Sequence, residues 1–96
     1  MHWEALQMGE NRLAAVSVVV EEPRSVEALN SLLHAYAEHI IGRMGIPYRQ
    51  RGVSFICVAM DAPADVINGL CGKLGRLKGV TAKAAYSGRT TGKGDN

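Results

Sequence analysis

The chain has 96 residues, 47% of them apolar, and a formal net charge of +2. That length holds one domain with a modest core, and the near-balanced charge leaves no broad basic footprint for nucleic acid. No apolar run reaches the roughly 20 residues a membrane-spanning helix needs.

Residues 1–10 (MHWEALQMGE) carry acids and lack an apolar segment of signal-peptide type. They are expected to form a disordered leader before a domain spanning 11–87. Arg12–Val20 (RLAAVSVVV) is rich in β-branched residues and predicts a first strand. Glu21, Glu22 and Pro23 end it, and Pro23 suits a first helical turn, where its missing N–H leaves no bond unmade. Val26, Leu29, Leu33, Tyr36 and Ile40 then recur at helical spacing, with Glu27, Ser31, His34 and Glu38 on the wetter side. They predict a helix over about 24–38.

The next run, IIGRMGIPYRQRG at 40–52, places Gly42 and Gly45 against a helix and Pro47 against a central strand. A short edge strand over 40–48 satisfies both, with Gln50–Gly52 as the turn. Val53–Met60 (VSFICVAM) is apolar almost throughout and predicts a third strand. Asp61 is expected to cap a second helix and Pro63 to sit in its first turn. Val66, Leu70 and Leu74 give that helix a stripe, with Ile67 and Cys71 beside it. Val80–Tyr86 (VTAKAAY) alternates and predicts a fourth strand. The glycine-rich end, residues 88–96, is expected to be a disordered tail.

The order βαββαβ is the split-βαβ pattern of a ferredoxin-like, α+β sandwich: a four-stranded antiparallel sheet with two helices on one face. Strands one and three are central in that architecture and strands two and four are edges. The residues agree, because the two most apolar strands are one and three, while proline, glycine and basic residues mark the others.

Both central strands are apolar on both faces. Strand three sets Val53, Phe55, Cys57 and Ala59 against Ser54, Ile56, Val58 and Met60; strand one sets Leu13, Ala15, Ser17 and Val19 against Ala14, Val16, Val18 and Val20. Two helices cover one face only, so large apolar side chains are left facing water. The expectation is a homodimer or higher homo-oligomer formed through the sheet face.

The chemistry-bearing motifs are sparse. Cys57 and Cys71 form no CxxC and no metal-ligand spacing, and both lie in apolar patterns. They are expected to be free thiols of a cytoplasmic protein. His34 and Glu38 lie four apart, with His39 adjacent. These supply two imidazole donors, His34 and His39, for a metal-sensing alternative that needs further ligands from another subunit. The GxxG runs 42–45 and 72–75 do not join two helices, as a nucleic-acid clamp requires. The tail GRTTGKG lacks the spacing and the flanking strand and helix of a phosphate loop. No nucleophile elbow and no paired carboxylates occur, so no catalytic residue, cofactor or resident metal is assigned. Arg43, Tyr48, Arg49 and Arg51 concentrate positive charge near one turn. Guanidinium groups there suit carboxylates or phosphates, and Arg43, Tyr48 and Arg49 are the expected contacts for a small anionic effector.

The run GRMGIPYR at 42–49, followed by VSFICVAMDAP and DVINGLCGKLGRLKGV and preceded by SVVVEEPRSVEALNSLLHAYAEHI, resembles a family of small proteins described as regulators of iron-only hydrogenase systems. The likeness runs from about Leu13 to Ser87. It implies a ferredoxin-like, ACT-like domain, similar to the C-terminal domain of the nickel-responsive repressor. Such relatives self-associate and bind small ligands or metals between subunits. The loop Glu21–Arg24 lacks the glycines typical of ACT amino-acid sites, and ten leader residues are too few for the repressor's DNA-binding segment. The resemblance therefore implies a non-enzymatic regulator that senses an effector or engages a partner protein, without reading DNA directly. A small ferredoxin-like enzyme acting at a subunit interface is the remaining alternative.

Overall fold

The structure, a computed structural model, describes residues 10–90. Strand β1 (Asn11–Val20) leads through a 3-10 turn (Pro23–Ser25) into helix α1 (Val26–Ala35). A second 3-10 turn (Ala37–His39) precedes β2 (Ile40–Tyr48), and a third (Arg49–Arg51) joins it to β3 (Val53–Pro63). Helix α2 (Ala64–Gly75) and β4 (Val80–Thr90) follow. The strands form one antiparallel sheet in the order β2-β3-β1-β4. This is the ferredoxin-like arrangement, with β1 and β3 central and the proline-bearing β2 at an edge. Among the described residues no helix is long and apolar enough to cross a membrane.

Strand alternation decides what is buried. Ala14, Val16, Val18 and Val20 of β1 are buried, and the register sets Met60, Val58 and Ile56 of β3 beside the first three of them. On the other flank Val80, Ala82, Ala84 and Tyr86 of β4 face Val20, Val18, Val16 and Ala14. Helix α1 lays Leu29 and Leu33 on this surface, and α2 lays Ile67, Leu70 and Leu74. All five helix side chains are at most 3% exposed. The core is therefore a single layer between the helices and one sheet face.

Three boundaries differ from expectation, each for a tertiary reason. Asp61 does not cap α2: it pairs with Leu13, because β1 holds β3 extended as far as Pro63. Helix α2 starts at Ala64 with no side-chain cap bond. Strand β4 runs on through Ser87–Thr90, into the stretch expected to be tail, because Arg12 of β1 pairs with Thr90. The remainder of the expected leader and tail lies outside the described residues. The first helix is split, with α-helix only over 26–35 and 3-10 turns on either side.

The β1–α1 and α2–β4 connections meet at one end of the sheet. The Glu21 N–H donates to the Gly79 carbonyl at 2.7 Å, and the Ser25 hydroxyl donates to the Lys78 carbonyl at 2.7 Å. Gly79 has φ +70°, and a Cβ placed on it lies 2.6 Å from Cβ and 2.9 Å from N of Glu22. Gly52 has a similar φ of +66° but open space around it. Left-handed backbone costs a non-glycine residue about 1–2 kcal/mol. Gly52→Ala should therefore lose about that much in urea unfolding. Gly79→Ala should lose clearly more, because the Glu22 backbone must also move; equal losses would contradict the close packing of the two connections.

Candidate functional site

Among the described residues nothing covers the sheet face away from the helices. Along β2 the residues on that face are those opposite Ala59, Cys57, Phe55 and Val53, namely Gly42, Met44, Ile46 and Tyr48. Met44 is 72% exposed, Ile46 67% and Phe55 47%. Ile41, carried at the register shift between Ile40 and Gly42, sits near Leu13, Ala15 and Ala59, and is also exposed. Met44, Ile46, Phe55, Val19 and Cys57 enclose a shallow cleft of about 270 Å³ with Ser17 at its floor. Bulky side chains on this face gather on β2 and β3, joined by Leu13 and Val19 of β1, while small or polar ones (Ala15, Ser17, Thr81, Lys83, Ala85) fill the rest of β1 and β4. The apolar surface expected from the sequence thus exists, and its largest exposed members lie on the edge strand.

The three expected anion contacts are not gathered at one point. Arg43 is opposite Val58, so its side chain leaves the sheet on the helix side. Its Nη2 donates to Asn30 Oδ1 of α1 at 3.1 Å. Together with Leu33, His34, Ala37 and Ile40 these two residues line a groove of about 420 Å³ between α1 and β2. Tyr48 is opposite Val53, on the uncovered side. With Arg49 it borders a different cleft, of about 210 Å³, shared with Pro23, Val26 and Gly52. Arg51 is exposed in the turn.

The histidines are also apart in role. His34 lines the Arg43 groove, while His39 Nε2 lies 3.3 Å from Glu38 Oε2. Among the described residues no three His, Cys, Asp or Glu side chains are grouped to hold a metal ion.

One polar cluster had no signature in the sequence. The Arg12 guanidinium stacks over the Tyr86 ring at 4.8 Å and donates from Nη2 to the Ser87 carbonyl at 3.4 Å. The Tyr86 hydroxyl donates to Asn68 Oδ1 of α2 at 2.7 Å. This network ties the first turns of α2 to β4 across β1, and only the tertiary register creates it. A second cation–π contact, Lys73 Nζ at 5.2 Å from the Tyr36 ring, links the two helices.

Both cysteines are free. Burial raises the Cys71 thiol pKa above its ordinary value by disfavouring the thiolate.

The profile of a protein family described as "Iron-only hydrogenase system regulator, putative" (TM1266-like) matches residues 12–84. Among solved structures, the uncharacterized protein TM1266 from Thermotoga maritima is similar, with a TM-score of 0.77 and 32% sequence identity. That likeness covers 80% of this chain and 98% of the other. No curated protein matches. The chain belongs to the TM1266-like family.

In a Cys57→Ser variant, iodoacetamide should label Cys71 more slowly at pH 8 than it labels free cysteine. The rate should climb as pH rises through and beyond the ordinary thiol range. Labelling at the free-cysteine rate at pH 8 would contradict the burial of this thiol.

Proposed function

We propose that this member of the TM1266-like family is a non-enzymatic regulatory domain of an iron-only hydrogenase system, working as a homo-oligomer that binds a small effector or a partner protein. The family description supports the regulatory role. The observation that carries self-association is the uncovered apolar face with Met44, Ile46 and Phe55 exposed on it.

Burying one such side chain is worth about 1.5–3 kcal/mol. Four strands at the usual spacing and about ten residues in length give a face on the order of 600 Å² in projection. Its accessible area is larger, comparable with the roughly 800 Å² per partner of a standard interface. A second copy of the same face is the simplest cover, since a two-fold interface needs only one self-complementary patch. Packed sheets in which bulky residues of one meet small residues of the other interdigitate well, and this face has both kinds.

The effector reading rests on two basic side chains and a phenol around β2 and the turn after it, Arg43, Arg49 and Tyr48. Arg43 and Arg49 each border a groove with apolar walls, the mixture of surface that small-ligand sites use. The effector reading is preferred over metal sensing through His34 and His39, because those two side chains occupy different surroundings and would need donors from another subunit.

Light scattering at about 50 μM should give a dimer or larger species for the native chain. Met44→Asp and Ile46→Asp, both on the exposed edge strand, should each weaken association roughly tenfold or more, the equivalent of losing one buried apolar side chain. Circular dichroism should show the fold intact. A native chain that stays monomeric at that concentration would overturn the oligomer reading.

A further inference from the structure

We infer that the groove between α1 and β2 is a binding site for a small organic carboxylate, gripped by Arg43 above an apolar floor. The assignment rests on the reading that the chain binds an anionic effector, and narrows it to one groove and one ligand class. Four observations carry it. The groove is the most capacious of the clefts described, at about 420 Å³, within the usual size range of small-molecule sites. Its floor is apolar, made by buried Leu33 and half-buried Ile40. Its charge comes from a guanidinium, and among the described residues no carboxylate lies within ion-pair distance of Arg43; the ion pairs there are Arg24–Glu22 and His39–Glu38. Finally, a hydrogen bond from Nη2 to Asn30 Oδ1 at 3.1 Å sets the exposed guanidinium beside α1 at the groove.

That hydrogen bond sets what each group has left to offer. Arg43 keeps donors on the other side of its planar fork, the geometry that matches the two oxygens of a carboxylate. Asn30 spends its oxygen on Arg43 and keeps its amide N–H groups for an acceptor. His34, four residues further along α1, adds an imidazole at the rim. One guanidinium over an aliphatic floor suits a monoanion with an apolar body. A phosphate ester would leave most of its charge without a partner in this groove. Three other clefts lack this combination: one of about 330 Å³ around Ile41 and Leu13 has no charged side chain in its lining. The open-face cleft has no charged side chain in its lining, and the Tyr48–Arg49 cleft is half the size.

The test is a titration of the ¹⁵N-labelled chain with sodium acetate, butyrate and hexanoate, and separately with inorganic phosphate, followed by amide shifts. Carboxylates should perturb the amides of Asn30, Leu33, His34 and Arg43. Affinity should rise roughly three- to fourfold for each methylene that reaches the floor. Arg43→Gln should weaken hexanoate binding about tenfold or more, whereas Arg51→Gln, at an exposed turn residue outside the groove lining, should leave it unchanged. The spectra themselves report that each variant is folded. Phosphate binding as tight as hexanoate at these amides, or hexanoate binding that survives Arg43→Gln, would overturn the assignment. So would hexanoate shifts confined to the open-face amides of Met44, Ile46 and Phe55. Shifts confined to Tyr48 and Arg49 would also overturn it while keeping the broader anion reading. Silence at every one of these amides would end both.

Discussion

Two helices can cover one face of a four-stranded sheet, and here the two central strands are apolar on both. That mismatch governs the molecule. On the covered side β1 and β3 supply Val16, Val18, Val58 and Met60 to a single-layer core closed by Leu29, Leu33, Ile67, Leu70 and Leu74. On the other side Phe55 and its neighbours are exposed, with none of the described residues shielding them. Strand β2 is exposed along almost its whole length. Met44 and Ile46 belong to the face away from the helices, while on the helix side the Arg43 groove opens between α1 and β2. The bare sheet face and the groove beside Arg43 are two consequences of the same incomplete cover.

Much of this was legible in the residues. The apolar character of 12–20 and 53–60 identified the central strands, and Pro47 placed β2 at an edge because an unpaired side can do without its N–H. The two-faced patterning of β1 and β3 foretold the bare face. What the sequence did not display were features made by long-range pairing. Asp61 looks like a helix cap until β1 is seen to hold it in register with Leu13. Ser87–Thr90 look like tail until Arg12 is found opposite Thr90. The Arg12–Tyr86–Asn68 cluster joins three elements that are remote in the chain.

The fate of the basic residues around β2 is more instructive, because the information was present. Arg43 and Tyr48 are five positions apart in a strand, and side chains alternate with a period of two. An odd separation sends them to opposite faces. Closeness in sequence suggested one basic site, whereas the strand geometry divides it between two clefts. A signal for the Arg43 groove was also available: His34 and Asn30 lie one turn apart on the helix that precedes β2. Nothing in the sequence, however, set that turn of α1 against Arg43.

The pairing of β4 with β1 has a consequence for biosynthesis. Of the described strands, β1 is made before the others and is central in the sheet, and its two neighbours are β3 and β4, the latest of the four to be made. Its full set of partners does not exist until residues 80–90 have been made. Until then β1 carries an unpaired edge of alternating valines, and the layer beneath α2 lacks Val80 and Tyr86. Such sequence-distant closure favours slow, late folding over stepwise assembly, and leaves an edge open to wrong partners in the meantime. The close seat of Gly79 against Glu22 and the Ser25–Lys78 hydrogen bond lie where β4 begins. These contacts can form only once the start of β4 has been made.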